Sequence, residues 1–310
     1  MCLLFLTSAA LRSDSLYKAD VSDFFGMSPP KKDGDVHQPW ILINQIAEGK
    51  TSHGKMQYGR AIRHKDVKQC AVGGIAMYMM NREDITGEFG SMSLEDWCDN
   101  SKWFNKKFLD DVKGSDYESE MVSDSYADHV KAILLRLGLP TNKLRHLGRG
   151  CGTKMLDFEE VSEDLIRRMG QWNQSVYDQS YSSKLPMEAM RCLAGFGGYK
   201  KSYFNTRTCI KPSIELQKMT AIGKWCFDMR DQVEGKEDEI KPTALACLNW
   251  FCMLVEVFLQ DVAAMFALHP EREDCALTRQ MPLLQTPEFK VRLQGNWYVL
   301  LEQPLTTTIP

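Results

Sequence analysis

"HLGRGCGTKM", residues 146–155, is the stretch on which the reading of this chain turns. It sets a histidine and an arginine three residues apart, then places glycines at 148, 150 and 152 in what otherwise reads as the start of a helix. Each glycine inside a helix costs roughly 1 kcal/mol relative to alanine. Such a cluster therefore marks either a loop or a backbone that comes close to something. If the chain is helical from Leu144 onward, His146 and Arg149 lie one turn apart on a shared face and can reach a single anion together. Arginine offers a planar fork to phosphate oxygens, and histidine adds a donor or a proton relay. The glycines would then let the turn lie against a phosphate backbone. Taken alone, the His-x-x-Arg pair fits a structural salt bridge or a helix cap equally well.

Working outward, the charge around this stretch is segregated. The 310 residues, 44% hydrophobic and 25% charged, have the composition of an ordinary globular protein of one or two domains, and the net charge is only -3. That sum conceals blocks. Residues 49–65 carry Lys50, Lys55, Arg60, Arg63 and Lys65 without an acid, and residues 141–154 carry Lys143, Arg145, Arg149 and Lys154 without one. Residues 184–218 set seven basic side chains against Glu188 and Glu215, whereas residues 83–124 hold twelve acids and four lysines. A phosphate-binding surface requires such separation; a merely soluble one does not. The cations that qualify as phosphate contacts are Lys55, Arg60, Arg63, Lys143, Arg145, Lys154, Arg168, Lys200, Lys201 and Arg207. The plainer alternative is that they are solvated charges.

Other chemistries are disfavoured by spacing. The ten cysteines form no Cys-x-x-Cys pair, and several sit in apolar runs such as "ALACLNWFCML"; they read as buried thiols of a reducing compartment, with no metal site and no cofactor implied. "NQIAEGKTS" imitates a phosphate loop, but that motif needs glycine at position 44, which is Asn, and a helix after the threonine. Lys50 is left at a hairpin tip, where it can be presented to a ligand. "MCLLFLTSAALR" lacks a basic start and is too short to span a bilayer; it reads as the beginning of a core helix, which implies an upstream domain outside this sequence. No membrane association is expected.

Hydrophobic periodicity predicts a mainly α fold with a small β hairpin or sheet. The hairpin is expected from two strands, 40–46 and 56–62. Helices are expected over "CAVGGIAMYMMNRED", over "SYADHVKAILLRLGLP" up to Gly138 and Pro140, and after Ser162 as a cap. Further helices are expected over "NQSVYDQSY", "LPMEAMRCLAGF", "KPSIELQKMTAIGKWCFDM" and "PTALACLNWFCMLVEVFLQDVAAMFAL". The polar stretch "VEGKEDEIKP" suggests a division into a domain of residues 1–232 and a C-terminal helical extension of residues 233–310.

Beyond the glycines, Trp172 follows Gly170, and Tyr181 follows nine residues after Trp172. This run, from His146 to Tyr181, resembles the His-x-x-Arg box, the His or Trp turn and the nucleophilic tyrosine of the tyrosine recombinases. "AALRSDSLYKADVSDFF", "EGKTSHGKMQYGRAIRHKDVKQCAVGGIAMY", "HLGRGCGTKM", "VSEDLIRRMGQWN" and "YSSKLPMEAMRCLAGF", in that order, resemble a narrower family. It is the second domain of the fungal centromere DNA-binding kinetochore subunit, itself similar to crypton-type transposon recombinases.

The resemblance implies a tyrosine-recombinase catalytic-domain-like fold, with Arg12 at the first catalytic arginine and Lys50 at the hairpin lysine. His146 and Arg149 would form the central box, Trp172 would take the second His or Trp position, and Tyr181 the nucleophile, with Tyr177 as its rival. In such a set two arginines and a further donor bind nonbridging phosphate oxygens, while a lysine protonates the leaving sugar oxygen. The partner implied is double-stranded DNA, the location the nucleus, and a homodimer or larger assembly is left open. Three roles follow: a non-catalytic DNA-binding module of the centromere and kinetochore; a transposon-derived recombinase forming a covalent 3'-phosphotyrosine in DNA recombination; and a protein-interaction scaffold that keeps the fold.

Overall fold

The computed structural model describes residues 1–31, 35–46, 56–109, 117–139, 141–172, 185–197, 202–236, 238, 240–268 and 281–293. In chain order these form α1 (Cys2–Ser8), α2 (Asp14–Tyr17), β1 (Phe24–Met27), β2 (Ile41–Ile46), β3 (Gln57–Ile62), α3 (Ala71–Thr86), α4 (Leu94–Cys98), α5 (Ser123–Arg136), α6 (Leu147–Phe158), α7 (Glu163–Gly170), α8 (Met187–Leu193), α9 (Ile214–Lys218), α10 (Ala221–Val233) and α11 (Pro242–Leu268). The chain divides into two compact units, one of Met1–His64 with Ser101–Tyr203, the other of Lys65–Asn100 with Phe204–Pro310.

In the first unit, β1, β2 and β3 make an antiparallel sheet in that order, with Phe24 opposite Asn44 and Ile43 opposite Arg60. The expected hairpin strands lie at β2 and β3. β1 was not expected: four residues are too few to show alternation, and the segment acquires its extended form by pairing with β2. One face of the sheet carries Ile41, Ile43 and Ile62 into a core shared with Leu156 of α6, Met169 of α7, and Met190 and Leu193 of α8. The expected helix over "NQSVYDQSY" lies outside the described residues.

Contrary to the loop reading, residues 147–158 form one continuous helix through all three glycines. The physical reason lies in α1. A Cβ on Gly148 would stand 2.4 Å from Leu6 Cβ, and one on Gly152 would stand 2.3 Å from the Thr7 carbonyl oxygen. Gly148 and Gly152, four residues apart on one face, let α6 lie directly on the backbone of α1. The close approach is thus between two helices of the same unit. Gly150 faces open space.

The second unit is built around α11, a helix long and apolar enough by length and composition to cross a membrane, whose side chains are mostly buried within the unit. It packs on α3 and α10. The rings of Trp97, Trp225 and Phe251 meet there, Trp97 and Trp225 edge to face at 4.9 Å, and the Trp97 indole N–H donates to the Ala244 carbonyl at 3.1 Å. The helix expected over "KPSIELQKMTAIGKWCFDM" is broken in two, because the Thr220 hydroxyl accepts from the Gly223 N–H at 2.9 Å and so caps α10 anew. α10 and α11 belong to the same unit.

Candidate nucleic-acid interface

Docking of α6 on α1 fixes where Arg149 goes. α1 ends in a tight turn in which Ala10 takes a φ of 49° and the Leu11 N–H returns to the Leu6 carbonyl. The Arg149 Nε donates to the Ala10 carbonyl at 3.2 Å, so the guanidinium is buried beside the segment that carries Arg12. The Ser13 N–H, donating to the Arg145 carbonyl at 3.3 Å, ties that segment to the turn preceding α6. Two arginines far apart in sequence are thereby brought together.

Their environment is electrostatically unusual. Burial, then the like charge of Arg12, pushes Arg149 down to about 10, with Asp14 acting in the opposite sense. The guanidinium still carries its charge at neutral pH. Arg149 Nη1 and Arg12 Nε are both buried, and neither has a hydrogen-bond partner among the described residues. A buried donor left unsatisfied costs about 1–3 kcal/mol, and more when charged. Two cations and one carboxylate leave a net positive charge at this point, with donors that meet no acceptor among the described residues. An anion with several oxygens, such as a phosphodiester, would satisfy both donors and the charge.

The other expected site residues divide by location. His146 stands in the turn before α6 with its ring exposed, and makes no cap bond to that helix. Trp172 is exposed after Gln171, which takes a φ of 55°, and its ring lies over Gly170. Among the described residues, no hydrogen bond or ring contact joins His146 or Trp172 to the arginine pair. Lys50, Lys55, Tyr177, Tyr181, Lys200 and Lys201 lie outside the described residues.

A second pair of arginines lies in the same unit. Arg60 on β3 lies over the Tyr58 ring at 5.4 Å, and its ionisation is pushed down by burial and by the neighbouring charge of Arg168 at the end of α7. The two elements are joined by Gln171, whose Nε2 donates to the Tyr58 carbonyl at 2.8 Å. Lys143, Arg145 and Lys154 are exposed, Arg145 in an ion pair with Asp124.

Two expected phosphate contacts need correction. Arg63 is 3% exposed, and Arg207 is equally buried. In the second unit the Arg207 Nε donates to Asp261 at 2.6 Å and its Nη1 to the Lys65 carbonyl at 2.8 Å. These guanidiniums are held inside and do not present a surface to DNA. Arg191, one of the cations of the 184–218 block, is likewise buried against Asp35, which also accepts from the Tyr203 N–H at 2.8 Å. Block counting could not separate such structural cations from surface ones. Asp14, the local counter-charge, was also missed; its only signal was its position two residues after Arg12.

The family model described as "Centromere DNA-binding protein complex CBF3 subunit, domain 2" matches residues 3–290 of the chain. No curated protein matches it.

Proposed function

The chain belongs to the family of the centromere DNA-binding protein complex CBF3 subunit, domain 2, and on that premise we propose that it is a nuclear DNA-binding module of the centromere and kinetochore. The observation that carries this reading is the Arg12–Arg149 pair: two neighbouring arginines, one of them almost fully buried, with donors that no group accepts among the described residues. The pair grips a phosphate of duplex DNA, and Arg60, Arg168, Lys143 and Lys154 of the same unit hold the flanking backbone. The fold of this unit is of the tyrosine-recombinase catalytic type, derived from a transposon enzyme, and here it serves binding. Homodimers or larger assemblies would add further DNA contacts.

Binding to duplex DNA measured across salt concentrations tests this directly. Each neutralised phosphate contributes about 0.9 to the slope of log affinity against log salt, so a steep decline is expected. A flat response would favour the protein-interaction scaffold. A second reading, strand cleavage with a covalent 3'-phosphotyrosine, is favoured by the same pair, since two arginines on one phosphodiester also stabilise charge developing during attack. A nicked suicide duplex that yields an adduct abolished in Tyr181→Phe would establish it; an adduct abolished only in Tyr177→Phe would move the nucleophile.

A further inference from the structure

α5 ends in an apolar surface that its own unit leaves uncovered. The helix buries Tyr126, Val130 and Leu134 as one stripe, while Ile133 and Leu137, one turn apart along the edge of that stripe, are exposed, Leu137 by 65%. Gly138 takes a φ of 69°, and the Leu139 N–H returns to the Leu134 carbonyl at 2.9 Å. The helix end is thus capped in a fixed turn, and the exposed Leu139 extends the surface. Arg136, three residues after Ile133 and on the same face, is also exposed, and residues 129–156 contain no acid.

α6, in the same unit, ends in the complementary kind of surface. Phe158 is 86% exposed, with the exposed Met155 one turn before it on the same face. Glu160 takes a φ of 55°, and the Val161 N–H returns to the Leu156 carbonyl at 3.1 Å, which fixes this end as firmly as that of α5. Asp157, Glu159, Glu160, Glu163 and Asp164 are exposed here, and no basic residue lies between Lys154 and Arg167. Carboxylates at a helix C-terminus oppose its dipole, and a residue other than glycine resists the left-handed conformation. Neither feature serves α6 itself; together they hold Phe158 outward in a negatively charged setting.

We propose that copies of this chain associate head to tail through the first unit, Phe158 of one copy seating on Ile133, Leu137 and Leu139 of the next. Charge decides the pairing. A two-fold contact between like surfaces would set Arg136 against Arg136, or the carboxylates around Phe158 against their own kind, whereas unlike surfaces join apolar to apolar and negative to positive. Each joined pair keeps one unused surface of each kind, so the contact can repeat. Few large side chains take part, so the association is weak in free solution and is strengthened when copies are held side by side. Neither surface includes Arg12 or Arg149, and the inference does not rest on the DNA reading.

Sedimentation velocity of the full chain without DNA, over a concentration series, tests it. The average mass should rise with concentration, and Phe158→Ser and Leu137→Asp should each raise the dissociation constant by more than about tenfold. Both side chains face solvent, so the variants fold, which circular dichroism checks. Mixing the two decides the geometry. Leu137→Asp keeps Phe158 and Phe158→Ser keeps the α5 surface, so equal parts of the two should form a dimer of wild-type strength and grow no further. Arg136→Glu should weaken the association in the same sense. A chain that stays monomeric at every concentration would overturn the proposal and leave the α5 surface to a different protein. Association untouched by either variant, or a mixture that stays monomeric, would overturn it equally.

Discussion

Replacing Gly152 by alanine, with Gly150→Ala as its reference, isolates the contact that builds the DNA site. Both positions lie within α6, so both variants gain the same helix propensity, about 0.5–1 kcal/mol. They differ in what the methyl meets. At 150 it meets nothing within 4 Å, whereas at 152 it stands 2.3 Å from the Thr7 carbonyl oxygen, with the Ala10 Cα at 3.4 Å. Backbone cannot rotate aside as a side chain can, so α6 must lift from α1. Overpacking of this kind costs about 1–3 kcal/mol. Gly150→Ala should therefore raise stability by about 0.5–1 kcal/mol, and Gly152→Ala should fall below it by about 1–3 kcal/mol. Urea unfolding followed by circular dichroism measures the difference, and duplex binding should weaken in Gly152→Ala because Arg149 moves with the helix. Equal unfolding midpoints for the two variants would refute the reasoning.

Other substitutions separate structural cations from binding ones. Arg207→Ala strands Asp261 in the core of the second unit and should lower stability by about 3–5 kcal/mol, read by thermal unfolding, with the salt slope of DNA binding unchanged for the protein that remains folded. Lys154→Ala, on the exposed face of α6, should do the reverse, lowering the slope by about one unit while stability stays within about 0.5 kcal/mol. Arg145→Ala breaks an exposed pair with Asp124 and should cost at most about 1 kcal/mol in stability. Trp97→Ala empties the aromatic cluster under α11 and should cost about 3–5 kcal/mol by the same unfolding assay.

Local periodicity made β2, β3, α3, α5, α8 and α11 legible, because each carries an apolar pattern long enough to declare its period. It failed where tertiary partners decide. Phe24–Met27 becomes a strand through β2, and Gly148 and Gly152 of α6 stand where α1 leaves no room for a side chain. Charge counting treated Arg63 and Arg207 as surface groups, since composition carries no information on burial. Arg12 and Arg149 were placed together only through family resemblance; nothing local in either segment announces the other. The reason for their meeting is the small-residue face of α6, whose Gly148 and Gly152 meet α1 and not a phosphate backbone.

Arg149→Met, with Arg12→Met and the double variant, tests the central claim most directly when stability and duplex affinity are measured on the same samples. A cation that is desolvated and repelled by its neighbour contributes to binding while straining the fold. Its replacement by an aliphatic chain of similar length should leave stability unchanged or raised, and affinity should fall by about 2–3 kcal/mol, less than additively in the double variant. Loss of stability with undiminished affinity in Arg149→Met, or strictly additive losses of affinity, would contradict a shared phosphate site.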